Sequence, residues 1–140
     1  MAEEVYSAIK RVQIIVRGIA GIKLAPEDPT EALSEFPAAF TYMNAARNVS
    51  DSWGDMRTDA TLVCDVITPR SNLPINTQTL MPYVDSVTNA LREDWIDNHW
   101  GSTITELREI RCRLVNMEVN KVLMLGLRFE IDVKIRGTIT

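Results

Sequence analysis

From position 123 to 136 the chain alternates. Leu123, Leu125, Leu127, Phe129, Ile131, Val133 and Ile135 take one set of positions. Met124, Gly126, Arg128, Glu130, Asp132, Lys134 and Arg136 take the other, which turns charged after its first two members. Successive side chains of a strand point to opposite faces, so residues 122–139 are expected to form one long strand with a buried face and a largely wet one. Such a strand needs partners at its edges and an apolar layer across its buried face. The remainder of the chain offers both.

Residues 3–19 read as an amphipathic helix, because Val5, Ile9, Val12, Val16 and Ile19 recur at spacings of four and three on one stripe. Glu3 and Glu4 suit its start, Lys10, Arg11 and Arg17 its later turns, and Gly18 and Gly21 its end. A connector with Pro26 and Pro29 follows, then a short strand over 36–43, where Pro37 is tolerated near the start. Residues 44–56 are rich in turn formers (Asn44, Asn48, Ser50, Asp51, Ser52, Gly54, Asp55), which predicts a long loop or a protruding hairpin around 44–57. Trp53 sits inside that stretch, either folded back on the core or waiting for a partner.

A second strand spans 58–68, and both its faces carry apolar residues, with Ala60, Leu62, Cys64 and Val66 on one side and Val63 and Ile67 on the other. A helix is expected from Asn76 or Thr77, with Leu80, Val84, Val87, Leu91 and Trp95 on its buried stripe. Pro82 is compatible with it if the helix proper begins near Met81, since proline is accepted in a first turn. Trp100 and Gly101 begin its exit. Residues 104–117 form a third strand whose alternation slips around Leu107 and Arg108, the mark of a bulge. Residues 116–121, with Glu118 and Lys121, turn into the last strand. The order predicts an α+β fold: one domain over 1–140, an antiparallel sheet of about four strands, two helices packed on one face.

Chemistry is scarce. The chain of 140 residues has one histidine and two cysteines, so triads and zinc centres lack their usual members. Asp94, Asp97 and His99 are read as a frayed, wet helix end rather than metal ligands. Cys64 and Cys112, both within strands, are expected to be buried, reduced thiols. No glycine-rich phosphate loop follows a strand. A net charge of -4 argues against a dedicated nucleic-acid binder but not against a surface that DNA merely passes. No apolar run is long enough for a bilayer and no signal peptide is recognisable, so an intracellular product is expected, without catalytic, cofactor-binding or metal-binding residues.

Several features together resemble the tail terminator (tail completion) proteins of long-tailed bacteriophages. They are the amphipathic start from Val5 to Ile19, the short strand Phe36-Pro37-Ala38-Ala39-Phe40, and the strand from Leu62 to Thr68 that ends in Pro69-Arg70. With them go the helix with Leu80-Met81-Pro82-Tyr83-Val84 and Ala90-Leu91, and the two closing strands. The likeness covers nearly the whole chain and is one of layout. It implies a virion protein, assembled in the host cytoplasm, that forms a ring (most often a hexamer) on the head-proximal end of the tail. There it would stop polymerisation of the tail-tube protein and join the head-completion or neck protein, with DNA only as passing cargo in the lumen and no cofactor. Another neck, head–tail connector or baseplate subunit is the alternative, and a small binding module or an enzyme the more distant ones.

The family supplies no contact motif, so interaction residues are chosen on physical grounds. Asp51, Trp53, Asp55, Met56 and Arg57 carry the aromatic, Met and Arg character of docking surfaces, and Glu118 and Lys121 form a second candidate. The polar face of the last strand (Arg128, Glu130, Asp132, Lys134, Arg136) is read as solvated, with pairing to a neighbouring subunit as its other use.

Overall fold

The computed structural model of the chain describes residues 2–26, 35–50, 55–71, 73–102, 104–119 and 121–138. Helix α1 (Ala2–Arg17) is followed by strands β1 (Ala38–Ser50) and β2 (Asp55–Pro69). Helices α2 (Leu73–Leu80) and α3 (Pro82–Ser102) come next, then strands β3 (Glu106–Val119) and β4 (Val122–Thr138). The strands form one sheet in the order β1-β2-β4-β3, and each neighbour is antiparallel. The α+β architecture expected from the pattern is the one observed.

The last strand is the spine of this sheet. It pairs with β2 along one edge and with β3 along the other, and its alternating residues Leu127, Phe129, Ile131, Val133 and Ile135 are all buried. Leu123, the first of the series, is 48% exposed because it lies in the hairpin beyond the helical layer. Helix α1 lays Val5, Ala8, Val12 and Val16 onto the sheet, and Val87 and Leu91 of α3 join the same core. Ile9 and Ile19, expected on the stripe, flank it half-buried, and Ala8 takes the central place. Gln13 is buried within that face. It is satisfied by accepting from the Thr41 hydroxyl at 2.7 Å and donating to the Ala39 carbonyl at 3.2 Å and to the Pro26 carbonyl, which removes the cost of a buried amide.

Several boundaries differ from the sequence reading. The stretch over 44–50 is strand, not loop: its turn-forming residues are held extended by pairing with 56–61, with a bulge between Met43 and Ala45. The hairpin alternative is therefore the observed one. The second helical region begins at Leu73, where Pro74 is tolerated in a first turn. Asn76 does not cap it; its Oδ1 accepts from the Ser71 N–H at 3.0 Å. The helices then part at Met81, and Pro82 opens α3. At the far end His99, Trp100 and Gly101 all have positive φ. Trp100 is fully buried there and donates its Nε1–H to the Leu91 carbonyl at 3.0 Å, anchoring a backbone shape that L residues resist. The bulge expected at Leu107 and Arg108 is present, between Leu107 and Glu109.

Gly21 has φ +96 and lies against Tyr83, whose hydroxyl a Cβ at this position would strike. It needs glycine on both counts.

Candidate assembly surface

The face of the sheet away from the helices holds a cross-strand network of charges. Asp65 of β2 receives both the Nε and the NH2 group of Arg128 of β4, at 2.9 and 3.1 Å. Tyr42 of β1 donates its hydroxyl to the same carboxylate at 3.1 Å. Asp65 is only 5% exposed, so this is a desolvated, fork-on-fork pair that raises the Arg128 pKa further above its ordinary value. Further along, Arg111 of β3 binds Asp132 and Glu130 of β4, and Thr61 of β2 donates to Asp132 at 2.8 Å. Arg111 holds the Asp132 carboxyl below the usual carboxylate range, against the opposing effect of burial. Arg113 lies 3.2 Å from Glu130. The expectation of a simply solvated face is thus corrected for Arg128, Glu130 and Asp132. Strand pairing sets Arg128 opposite Asp65 and Glu130 opposite Arg111, Arg111 reaches Asp132 diagonally, and the pairs close within one chain. Lys134 is half-buried on the same face, and Arg136 continues the strand opposite Arg57.

The residues singled out for docking do not form one surface. Asp51 and Trp53 lie outside the described residues. Asp55 and Met56 begin β2, opposite Thr138 and Gly137 of β4. Arg57 is half-buried, with its Nε 3.3 Å from Asp59 Oδ1 in an ion pair that lacks hydrogen-bond geometry. Glu118 belongs to β3, paired with Leu123, and not to a turn; Lys121, with φ 65, directly precedes β4. Both Glu118 and Lys121 are exposed. Since 55–57 pair with one end of β4 and 118–121 sit at the other, the two groups are roughly 50 Å apart at the rise of an extended strand.

What the sequence did not reveal is the mismatch in width between sheet and helices. Next to β3, a groove of about 350 Å³ runs between Trp95 and Ile96 of α3 and Leu107 and Ile110 of β3. Next to β1, a groove of about 360 Å³ runs between Val5, Tyr6 and Ile9 of α1 and Met43 and Ala46 of β1. Ile96 is 66% and Met43 45% exposed. An apolar strip at each border of a sheet is a feature of surfaces that bind protein. Its traces in the sequence are Ile96 and Tyr6, large residues off the stripes of α3 and α1.

Elsewhere the reactive side chains are quiet. Both cysteines are free thiols. Cys64 is buried, and burial pushes its pKa up to about 12. Cys112 corrects the expectation of burial: it is exposed, because the helical layer does not reach its part of β3, although partial desolvation still pushes its pKa up to about 11. The two flank Phe129 from opposite sides on the same face, about 10 Å apart across two strand spacings. Asp94 is not at a frayed end. It accepts from Arg11 of α1 at 2.6 and 3.0 Å, which lowers its pKa and ties α3 to α1. His99 is exposed with its ring edge-on to Trp95. Among the described residues no group of three or more His, Cys, Asp or Glu side chains could hold a metal ion, and no helix is long and apolar enough to cross a membrane.

No protein-family model matches the chain, and no curated protein matches it in sequence.

Proposed function

We propose that this protein is a structural subunit that assembles with copies of itself, and that it is a tail terminator of a long-tailed bacteriophage. The observation that carries the first part is the pair of long sheet edges, each bordered by an exposed apolar groove. Open strand edges readily pair with other chains, and proteins that stay monomeric usually blunt or cover them. The second part rests on the layout described from the sequence: the amphipathic first helix, the strand and helix flanking Pro69, and the two closing strands. In that role a ring of subunits, six in most of the family, would sit on the head-proximal end of the tail, halt growth of the tail tube and join the head-completion or neck protein. DNA would pass through its lumen. No cofactor or catalytic group enters this function.

Electron microscopy of the purified protein, alone and mixed with tail tubes, tests it. Rings of tube diameter, or caps on one end of each tube, are expected. Rings that ignore tubes but bind another virion part would instead indicate a neck or baseplate joint. Monomers both alone and with tubes would remove the proposal. Trp53→Ala is expected to leave the melting temperature within about 2 °C of the parent while weakening assembly, as loss of an aromatic anchor would. A large fall in the melting temperature of the monomer would show that Trp53 serves the core instead.

A further inference from the structure

Both edges of the sheet are built to the same heights. Strand pairing carries rows of residues straight across the molecule: Arg47–Asp59–Lys134–Glu106 on the outer face, and Ala46–Ala60–Val133–Leu107 and Met43–Leu62–Ile131–Ile110 on the inner one. The β1 groove is therefore lined by Met43 and Ala46 in the same two rows that give the β3 groove Ile110 and Leu107. The outer row ends in a base at one border and an acid at the other. Arg47 has 75% of its side chain exposed and Glu106 50%.

Residue counts agree as well. Between the Met43 row and the Arg47 row the central strands use four residues each (59–62 and 131–134), whereas β1 uses five (43–47) and β3 five (106–110). Each edge strand has one bulge there, so the two edges match each other better than they match the middle of their own sheet. Direction is compatible too. Four alternating strands leave β1 and β3 running opposite ways, so a second copy set beyond β3 in the same orientation offers its β1 antiparallel. The outer edge of β1 is occupied at its Ala38 end, where the Ala39 N–H donates to the Leu24 carbonyl at 2.8 Å and the Ala39 carbonyl accepts from Gln13 at 3.2 Å; the rows from Met43 to Arg47 lie beyond those contacts.

We infer that copies of this chain join head to tail, β3 of one pairing antiparallel with β1 of the next, with the α3–β3 groove closing on the neighbour's α1–β1 groove and Glu106 set beside Arg47. This rests on the self-assembly proposed above and names its surface. The contact is heterologous, using a different edge on each partner, so it propagates into a ring or a filament and does not stop at two. Pairing one edge with its own copy would leave the other edge open.

The test uses the full chain at a range of concentrations, alone and with tail tubes, with mass read by analytical ultracentrifugation and caps by microscopy. Arg47→Glu and Glu106→Arg are each expected to raise the concentration needed for assembly about fivefold, and the two together to restore it to within about twofold, since each junction then regains an opposite pair. Ile96→Asp, at a site already exposed in the monomer, is expected to raise it about a hundredfold. Arg47→Cys with Glu106→Cys is expected to give a ladder of disulfide-linked multimers that neither single variant gives. Within one chain these positions lie about 14 Å apart, too far for a bond. Assembly that is indifferent to all these changes, with no ladder, overturns the interface and leaves self-assembly standing. A species that stops at two copies overturns the head-to-tail order. A wild-type chain that stays monomeric even with tubes removes both.

Discussion

The inner strands β2 and β4 and the edge strands β1 and β3 are built from similar alternating patterns, yet they meet different fates. β2 is buried without a break from Leu62 to Thr68, on both faces, while no residue of β3 is fully buried. The contrast is sharpest across a single strand spacing of about 4.8 Å. Phe129 and Leu127 of β4 are buried, and their partners Cys112 and Leu114 on β3 are exposed. Helix α1 covers the first part of β1, where Ala39 and Thr41 are buried against it, but the helical layer stops short of β1 from Met43 onward and of β3. Stability is thus concentrated in the centre, and those parts of the borders are left exposed.

Replacement of Phe129 tests the centre most severely. It is fully buried, and Phe129→Ala is expected to cost about 3–5 kcal/mol in urea unfolding. A loss below about 1 kcal/mol would mean that the core does not close over this row. Next comes the outer face. Asp65→Ala strands the Arg128 guanidinium and the Tyr42 hydroxyl and is expected to cost about 2 kcal/mol, less than a fully buried pair because Arg128 is 25% exposed. If Asp65→Ala proved neutral, the pair would be contributing no more than a surface one.

A smaller effect is expected from acid. Asp94 and Asp132 are held below their ordinary pKa by Arg11 and Arg111. Their contribution is complete above the unfolded value near 3.9 and is lost as the pH falls through the lower folded value. The melting temperature should therefore drop below about pH 4, and Asp94→Asn should shallow that drop. An identical acid profile in Asp94→Asn would sever the link to this pair. Least of all should be felt at the border. Leu114→Ala, at 43% exposure, is expected to change stability by less than about 0.5 kcal/mol, and a cost comparable to that at Phe129 would show that β3 belongs to the core.

Much of this fold was legible because its signals are local. The period-two run of β4, the stripe of α1, the slip at Leu107 and Arg108 and the tolerance of Pro82 follow from strand and helix geometry acting on neighbours in sequence. The docking residues were less legible. Arg57 was chosen for its type, but what it does depends on Asp59 across the same face of β2, and Glu118 looked like a turn residue until Leu123 paired with it.

The sequence by itself determined the elements, their faces and the α+β order, since periodicity is a property of the chain. Only the tertiary structure decided that residues 44–50 are strand, that Trp100 is buried and that Cys112 is not. It also decided that Arg11 meets Asp94, 83 positions away, and Arg128 meets Asp65, 63 positions away. Those outcomes depend on how wide the helical layer is relative to the sheet and on which strands lie side by side. Neither quantity is written in any local stretch of residues, because each arises from contacts between distant ones.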